Sequence, residues 1–447
     1  MRQVQIPRSA KVMAIIIVIM FTGINSRNFA QNPQKENLTR EQKLWGLMQI
    51  WSAAKYNFVY FDHVPKLDWD AEVQASIPKI LAANDIIEYC KELRELTAKL
   101  NDGHTLVMPP GALNGEFDNP PVELQMVENK IILARIGNTD ETKSLNLNPG
   151  SELIEIDGVD AKEYFAKNVD KYLGGTKQYK ESFGLYLLLN GPTGSNVKLK
   201  FQDRTGKYIN AELTRNGMSN GFSHRIYSMM PLIEKKQPTN DVVYFKLSTF
   251  SIEQIAADFK EEIEKLDLTK VKGIVIDLRY NWGGNSSTAF NIISRLIDKP
   301  LEAAKSKSRK HLSADAAHGN AEEWFEFPPV KINPAKGKQF TGPLVILTGA
   351  NTYSAAEDFL VPLKYSGRAT IIGERTGGSS GQPLWVPLPG GIIFTVCAVR
   401  DSYPDGKEFV GSGIEPDIEV QVTKEDIFKN KDRVLEKAIE VILKKKK

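Results

Sequence analysis

The sequence predicts an α/β protein in which a mostly parallel sheet follows a helical segment and a smaller β-rich module. From about residue 218 onward, short apolar strands alternate with helices, which is typical of a parallel α/β sheet. Residues 38–108 carry apolar side chains at helical spacing, and residues 112–217 contain strand-like segments separated by turns. A chain of this length is large enough for two or three domains, each with a core of its own.

The N-terminus has the pattern of a secretory signal. Three basic residues precede the apolar run 12–21, and the small residues Ser26 and Ala30 follow. This run is too short to cross a bilayer, which takes about 20 apolar residues. We therefore expect residues 1–30 to be removed and the protein to be exported to the periplasm, the cell surface or the medium. A retained membrane anchor is the alternative.

Charge and composition exclude several classes of function. The formal net charge is +3, and it becomes slightly negative without the basic leader, so binding to nucleic acid or stable insertion into a membrane is not expected. The two cysteines, Cys90 and Cys397, are too few for a disulfide scaffold. We expect two buried free thiols, with a single bridge as the alternative. The five histidines show no metal-binding spacing, so a metal site is not expected.

The segment 38–108 is predicted to be helical. Thr39 and Gln42 form a capping box ahead of apolar residues at helical spacing. A second helical stretch stops at the turn formed by Asn101, Asp102 and Gly103. His104 follows that turn directly.

The module 112–217 is predicted to be β-rich, with strands at 131–136 and 197–201. Between them, residues 149–158 have a turn–strand–turn pattern that resembles the signature of PDZ domains. A helical insertion is expected from about 161 to 189.

The C-terminal domain, 218–447, carries the strand–helix alternation. The predicted strands are 243–247, 273–277, 344–347 and 370–372, and the predicted helices are 252–266, 288–297 and 355–363. A polar, lysine-rich, irregular stretch at 299–342 interrupts the alternation. It is either a functional segment or a surface excursion anchored by aromatic side chains.

Ser354 is a candidate nucleophile because it stands where a helix is predicted to begin after a buried strand. Free backbone N–H groups at a helix N-terminus, such as that of Ala355, can stabilise an oxyanion. However, Ser354 and Glu357 also fit the capping box S-x-x-E, which requires no catalysis. The local pattern leaves both interpretations open.

Two further segments could complete a catalytic site. Gly283 and Gly284 follow the predicted strand 273–277 and permit a tight turn that offers an N–H to an oxyanion, although an ordinary strand-to-helix turn is the alternative. A hydroxyl nucleophile also needs a base. His104 could supply it despite its distance in sequence, although a histidine in a turn is more often structural.

Together these segments resemble the carboxy-terminal processing peptidases and their tricorn-core relatives. Residues 277–284 resemble the motif DLRxNxGG, residues 373–378 resemble GExTxG, and residues 411–417 resemble GxGIxPD. Ser354 falls where the nucleophile of that family lies. The resemblance covers nearly all of the chain beyond the leader and implies a catalytic domain of the crotonase and ClpP type.

The resemblance implies roles for individual residues. Ser354 would be the nucleophile and His104 the general base, with oxyanion donors from Gly283 or Gly284 and from Ala355. Many members use a lysine base 25 residues after the serine, but Ser379 holds that place here, so a Ser/Lys mechanism is not supported.

The group that orients His104 is not evident from the resemblance. In tricorn a serine precedes the histidine and a glutamate near GxxPD completes a tetrad, whereas Gly103 and Val410 hold those places here. Glu408 and Asp102 are therefore the candidates for the orienting acid.

The function implied is that of an exported serine peptidase that cuts polypeptides through an acyl-enzyme, without a cofactor, as an endopeptidase or a carboxy-terminal processing peptidase. Two alternatives stay open. One is a non-catalytic ligand-binding or scaffold protein on the same fold, since the retinoid-binding protein of the eye also resembles this family. The other is a serine esterase.

Overall fold

The computed structural model describes residues 38–217, 231–320 and 323–444. The predicted signal segment 1–30 lies outside them, as does the predicted domain boundary near 218. None of the helices in these three ranges has both the length and the apolar character that a bilayer crossing requires.

Three capped helices form the N-terminal segment. They are α1 (Arg40–Asn57), α2 (Trp69–Ala82) and α3 (Ile86–Thr97). The capping box of Thr39 and Gln42 is present at the start of α1, as predicted. A short 3₁₀ turn follows α3 and ends at Asn101 in the left-handed conformation. This ends the helical segment at the predicted turn, and β1 (Leu106–Met108) follows.

The β-rich module contains an antiparallel sheet with a separate core. Its strands are β2 (Phe117–Asp118), β3 (Val122–Val127), β4 (Lys130–Ile136), β5 (Glu152–Ile156), β6 (Val159–Asp160), β7 (Gly191–Pro192), β8 (Asn196–Gln202) and β9 (Tyr208–Thr214). The main sheet has the order β3-β4-β5-β8-β9, with β6 on β5. Leu133, Ile156 and Phe201 are fully buried in its core. The strands predicted at 131–136 and 197–201 are confirmed as β4 and β8.

Helices within this module lie at α4 (Asp140–Lys143), α5 (Ala161–Asn168) and α6 (Lys177–Leu188). The last two form the predicted helical insertion. Asp160 caps α5, and Thr176 caps α6. The Thr176 hydroxyl also donates to the Gly377 carbonyl at 2.6 Å, which ties the start of α6 to the C-terminal region.

A six-stranded sheet organises the C-terminal region. Its strands are β10 (Ile233–Thr239), β11 (Val242–Leu247), β12 (Gly273–Asp277), β17 (Leu344–Thr348), β18 (Thr370–Gly373) and β22 (Ile418–Glu419), in the order β10-β11-β12-β17-β18-β22. All neighbours are parallel except β10 and β11. The prediction of a mostly parallel sheet is therefore confirmed. β12 and β17 are central, and every residue in them is buried.

Helices cover both faces of this sheet. They are α7 (Gln254–Lys265), α8 (Ser286–Ile293), α10 (Ala355–Tyr365) and α12 (Arg433–Lys444); a short helix, α11 (Lys424–Phe428), precedes α12. One face packs α7, α8 and α10 into a core that also includes residues of α1 and α3. The other face is covered by Val434, Ala438 and Ile442 of α12. Parallel strands require this double cover because both of their faces are apolar.

The stretch 299–342 is more regular than predicted. It contains β13 (Leu301–Glu302), β14 (Lys305–Lys310), α9 (Ser313–His318), β15 (Glu323–Glu326) and β16 (Lys331–Ile332). β14 pairs with β15 and with β21 (Arg400–Ser402), so backbone pairing with a distant strand organises the segment despite its polar composition.

β1 joins the N-terminal segment to the C-terminal region. It pairs antiparallel with β20 (Ile393–Cys397), which also pairs with β19 (Pro383–Pro387), and Leu106 lies opposite Thr395. The Thr395 hydroxyl donates to the His104 carbonyl at 2.7 Å. This strand pairing brings residues just after the first helices close to residues late in the chain.

Candidate active site

Ser354 stands at the first turn of α10 in an unusual backbone conformation. Its φ is +57° and its ψ is −128°, a region that non-glycine residues rarely adopt and that costs about 1–3 kcal/mol. Its side chain makes no capping hydrogen bond, so the capping-box interpretation of Ser354 is wrong. Such strain is typical of functional positions, where surrounding contacts hold it in place.

His104 reaches Ser354 across the boundary between the N-terminal segment and the C-terminal region. Its Nε2 lies 3.1 Å from Ser354 Oγ. The imidazole ring stacks on Tyr353 at 4.8 Å with an interplanar angle of 18°. Burial lowers the pKa of His104, although the Asp102 carboxylate opposes this. The ring is therefore neutral near pH 7 and can accept a proton.

The other nitrogen of the ring faces Ser379. His104 Nδ1 lies 2.6 Å from Ser379 Oγ, and that hydroxyl donates to Asp102 Oδ1 at 3.0 Å. Asp102, one of the two acids predicted from the sequence, is therefore near His104 but reaches its ring through a hydroxyl. Ser379 was not predicted as a site residue. The signal available was its place, 25 residues after Ser354, where many relatives carry lysine.

Glu408, the other predicted acid, does not reach His104. Its carboxylate accepts a hydrogen bond from Arg400 at 2.7 Å and lies 3.3 Å from His63. Arg400 also pairs with Asp62 at 2.8 Å. This ion-pair group holds Glu408 away from the imidazole, which corrects the expectation.

The predicted oxyanion donors differ in whether their N–H groups are free. The Gly283 N–H donates to Asn281 Oδ1 at 2.9 Å, so it is already satisfied. Within the described ranges, the N–H groups of Gly284 and Ala355 donate to no protein acceptor. We therefore keep Gly284 and Ala355 as candidate donors and withdraw Gly283 as one.

Gly283 matters instead for the close approach of two chain segments. Its φ is +90°, and an added Cβ would lie 2.6 Å from the Tyr353 carbonyl oxygen and 2.7 Å from the Ala355 nitrogen. Only glycine permits the turn after β12 to lie this close to the start of α10.

An ion-pair group links the turn after β12 to the segment just before α12. Arg279 donates to Asp277 and to Asp432, which lies just before α12, at 2.6 and 2.7 Å. Burial opposes ionisation of Asp277, but the adjacent Arg279 outweighs it and lowers the pKa of that carboxyl. Arg279 therefore braces the turn through these two carboxylates.

Glu357 fixes the segment that carries Ser379. Its buried carboxylate accepts hydrogen bonds from Thr376 Oγ1 and from the backbone N–H groups of Gly378 and Ser379, the last two at 2.9 Å. Burial raises the pKa of Glu357 to about 8, although the three donors oppose this. Glu357, which one interpretation of the sequence placed in a helix cap, instead organises the 376–379 loop.

The pair of Ser354 and His104 opens onto a large cleft. The cavity has a volume of about 2760 Å³, and its walls near the pair include Tyr179, Phe183 and Trp282. Phe183 stacks on Tyr179 at 5.5 Å and contacts Trp282 edge-on at 5.7 Å. Across the described part of the chain, no group of three or more histidine, cysteine or acidic side chains is arranged to hold a metal.

Comparison with known proteins gives consistent matches. Residues 241–420 match the family model described as peptidase family S41. The carboxy-terminal processing protease CtpB of Bacillus subtilis is 23% identical over 82% of this chain and 66% of its own length. CtpA of the same organism is 21% identical over 82% of this chain and 68% of its own length. The chain thus spans about two thirds of these relatives.

Solved structures share the fold. Mature CPAF superposes with a TM-score of 0.71 at 17% identity, covering 90% of this chain and 96% of that one. The photosystem II D1 C-terminal processing protease superposes with a TM-score of 0.52 at 19% identity, covering 86% and 94%.

These matches first define the class of protein: it is a peptidase, and hence a hydrolase, as the sequence predicted. More particularly, residues 241–420 match peptidase family S41, and carboxy-terminal processing proteases are among the relatives of the chain. The family predicted from the motifs is thereby confirmed.

Proposed function

We propose that this chain is an exported serine peptidase that hydrolyses polypeptides, with Ser354 as its nucleophile and His104 as its general base. The observation that carries the proposal is the 3.1 Å contact between His104 Nε2 and Ser354 Oγ at the wall of an open cleft. A nucleophile and a base within hydrogen-bond reach are the geometric signature of covalent catalysis by serine. The strained backbone at Ser354 agrees with that role.

The reaction proceeds in two halves. His104 Nε2 accepts the Ser354 proton as Oγ attacks the peptide carbonyl carbon, and the resulting oxyanion accepts hydrogen bonds from the N–H groups of Gly284 and Ala355. The imidazolium then donates its proton to the leaving amine, which leaves an acyl-enzyme. In the second half a water molecule attacks the ester, His104 takes the water proton and returns it to Ser354, and the new carboxylate departs.

The proposed organisation follows the sequence pattern and the family. We assign residues 38–108 to the N-terminal helical segment, 112–217 to a PDZ-like module and 218–447 to a catalytic domain of the crotonase and ClpP type. Export rests on the signal-like pattern of residues 1–30. The names of the bacterial relatives suggest processing of polypeptide C-termini as the activity.

A serine-reactive fluorophosphonate probe tests this proposal. The wild-type protein is expected to be labelled on the peptide that contains Ser354, and Ser354→Ala is expected to lose the label because the nucleophilic oxygen is absent. Ser366→Ala, at the other end of α10, is the matched control and should keep it. Mass spectrometry identifies the labelled peptide. Labelling that persists in folded Ser354→Ala would overturn the assignment.

A second assay separates peptidase from esterase and from binding protein. Wild-type protein that has not been treated with the probe should release peptides from an unfolded protein substrate, and the Ser354→Ala variant should not. Ester hydrolysis without peptide release would favour an esterase. A folded wild-type protein with neither label nor hydrolysis would favour a ligand-binding role.

A further inference from the structure

The ring of His104 is held on its far side by a hydroxyl group. Ser379 Oγ lies 2.6 Å from Nδ1, and within the described ranges no carboxylate makes a direct hydrogen bond to the ring. The group that binds Nδ1 decides which ring nitrogen carries the proton and how the ring is oriented. The identity of this partner therefore determines whether Nε2 can act as a base toward Ser354.

The proton positions follow from the chemistry of the three groups. Ser379 Oγ lies between His104 Nδ1 and Asp102 Oδ1, at 2.6 and 3.0 Å. An ionised carboxylate can only accept hydrogen bonds, so the single hydroxyl proton of Ser379 points to Asp102. The lone pairs of Ser379 Oγ are then left for His104, and Nδ1 must carry a proton to donate to them. Nε2 is consequently unprotonated and faces Ser354.

Asp102 is held in the orientation that this arrangement needs. Its Oδ2 accepts the Thr105 hydroxyl at 2.7 Å and the His104 backbone N–H at 3.1 Å. Its exposure is only 5%. Within the described ranges no lysine or arginine forms an ion pair with it, so its charge is available to stabilise the imidazolium formed during catalysis.

Hydrogen bonds of its backbone hold Ser379 in place. Its N–H donates to Glu357 Oε2 at 2.9 Å, and its carbonyl accepts the N–H of Ser354 at 3.1 Å. The second of these bonds links the hydroxyl carrier directly to the residue whose Oγ faces Nε2. The positions of Ser379 and Ser354 on either side of the imidazole are thus mutually fixed.

The structure also explains why a glycine, and not the serine found in tricorn, stands directly before His104. An added Cβ at Gly103 would lie 2.3 Å from Tyr353 Oη and 3.0 Å from Tyr179 Cε1. Two buried aromatic side chains fill the space that a side chain at position 103 would need. The hydroxyl beside Nδ1 comes from the 376–379 loop instead.

We propose that Ser379 and Asp102 are positioning residues that form a relay, Asp102–Ser379–His104, which sets the tautomer of His104 and stabilises its protonated form. This inference rests on the proposed roles of Ser354 and His104. Neither Ser379 nor Asp102 touches the reacting atoms; both act through the imidazole. Many relatives carry a lysine base at the position of Ser379, whereas here Ser379 positions the proposed base, His104.

Two substitutions test the relay through the rate and pH dependence of fluorophosphonate labelling. Ser379→Ala removes the acceptor of the Nδ1 proton and should slow labelling by about 10²-fold. Asp102→Asn allows the Ser379 hydroxyl to donate its proton to Nδ1 instead, and should slow labelling by up to about 10⁴-fold. Because the residues act as a unit, the double variant should be no slower than the slower single variant. The pH midpoint of labelling should move in both single variants.

Ser380→Ala is the matched control, since it removes a neighbouring buried hydroxyl that bonds to Asp358 and Asp401 rather than to His104. It should keep the wild-type labelling rate and pH midpoint. Nitrogen-15 chemical shifts of His104 give an independent readout. The wild-type ring should be protonated on Nδ1, and Ser379→Ala should shift the tautomer toward Nε2.

The outcomes separate the relay from the function on which it rests. A wild-type protein that is not labelled would overturn the proposed function itself. A labelled wild type with an unchanged rate and pH midpoint in folded Ser379→Ala would overturn the relay alone. Fully multiplicative effects in the double variant, or a wild-type ring protonated on Nε2, would also overturn the relay.

Discussion

At the residue scale, Ser354 depends on its neighbours to keep a backbone conformation that serine rarely adopts. The N–H of Tyr353 donates to the Asn281 carbonyl, and the N–H of Ser354 donates to the Ser379 carbonyl, both at 3.1 Å. These bonds hold the residue against a cost of about 1–3 kcal/mol. The same bonds place Ser354 Oγ beside the imidazole of His104. The hydrogen bonds that maintain the strained backbone of Ser354 thus also position its side chain.

Gly103 is expected to be intolerant of any side chain. In Gly103→Ala the new methyl group would meet Tyr353 Oη at 2.3 Å and push the ring on which His104 stacks. We expect the labelling rate of Ser354 to fall by about 10-fold or more, because small displacements of a base are costly. The measurement is the fluorophosphonate labelling rate, with circular dichroism to show that the variant is folded.

Tyr353→Phe tests whether the clash with Tyr353 Oη causes the loss of labelling rate in Gly103→Ala. Removing the hydroxyl takes away the nearest atom in the clash while leaving the stacked ring in place. The double variant Gly103→Ala/Tyr353→Phe should therefore recover part of the lost rate. A double variant that is slower than Gly103→Ala would show that the clash with Tyr353 is not the cause.

At the element scale, the site depends on how closely the turn after β12 approaches the start of α10. Asn281 links this turn to its neighbours: its side-chain amide donates to the Leu247 carbonyl of β11 at 3.1 Å, its Oδ1 accepts from Gly283, and its carbonyl accepts the N–H of Tyr353. Arg279 fixes the turn to α12 through Asp432. The residues of the 277–284 motif thus fix the turn through hydrogen bonds. The Gly283 N–H is used within the turn, whereas the Gly284 N–H has no protein acceptor within the described ranges.

Gly283→Ala should abolish labelling of Ser354. The added Cβ would lie within 2.7 Å of backbone atoms of Tyr353 and Ala355, and the φ of +90° is unfavourable for alanine. We expect a loss of at least about 10²-fold, because the proposed oxyanion donors and the proposed nucleophile would be displaced together. Labelling rate and melting temperature are measured in parallel.

Gly349→Ala is the matched control for that substitution. Gly349 lies just after β17, and an added Cβ there would have its nearest neighbour at 3.8 Å, in ordinary contact. This variant should keep the wild-type labelling rate. A Gly283→Ala variant that labels as fast as Gly349→Ala would contradict the proposed geometry.

At the scale of the whole molecule, the N-terminal segment and the C-terminal region share one hydrophobic core. Leu93 of α3, Val107 of β1 and Phe394 of β20 are each fully buried in it. The β-rich module has a separate core. His104 therefore reaches the site on a segment that is packed into the body of the C-terminal region.

Buried carboxyl groups should make the stability of the whole protein depend on pH. Burial and the nearby Asp358 raise the pKa of Asp401 to about 7, although hydrogen bonds from Ser306 and Ser380 oppose this. An acid whose pKa is higher in the folded state keeps its proton there while the unfolded chain loses it. Its contribution therefore makes stability fall as pH rises from about 4 to about 7.

The Asp401→Asn variant should flatten this fall. Its melting temperature should decrease less than that of the wild type between pH 5 and pH 8, with a difference of about 2 °C or more. Differential scanning calorimetry at several pH values gives the measurement. Asp405→Asn, which changes an exposed acid nearby, should keep the wild-type pH dependence. Equal pH dependence in Asp401→Asn and the wild type would contradict the prediction.

The sequence by itself determined the features that depend on neighbouring residues or on spacing along the chain. The capping box at Thr39, the alternation of apolar strands and helices, and the motif at 277–284 led to the correct fold class and family. They also singled out Ser354 and His104, which the structure brings into contact. Local patterns could do this because helix caps, buried strands and tight turns are set by residues only a few positions apart.

Only the tertiary structure decided what surrounds His104 and which donors are free. His104 and Ser379 are 275 positions apart, and no local pattern encodes a contact at that separation. Glu408 was a reasonable acid by sequence position, yet Arg400 holds it elsewhere. Strand pairing and core packing set these distances over the whole chain, so the partner of each polar group becomes known only when the fold is complete.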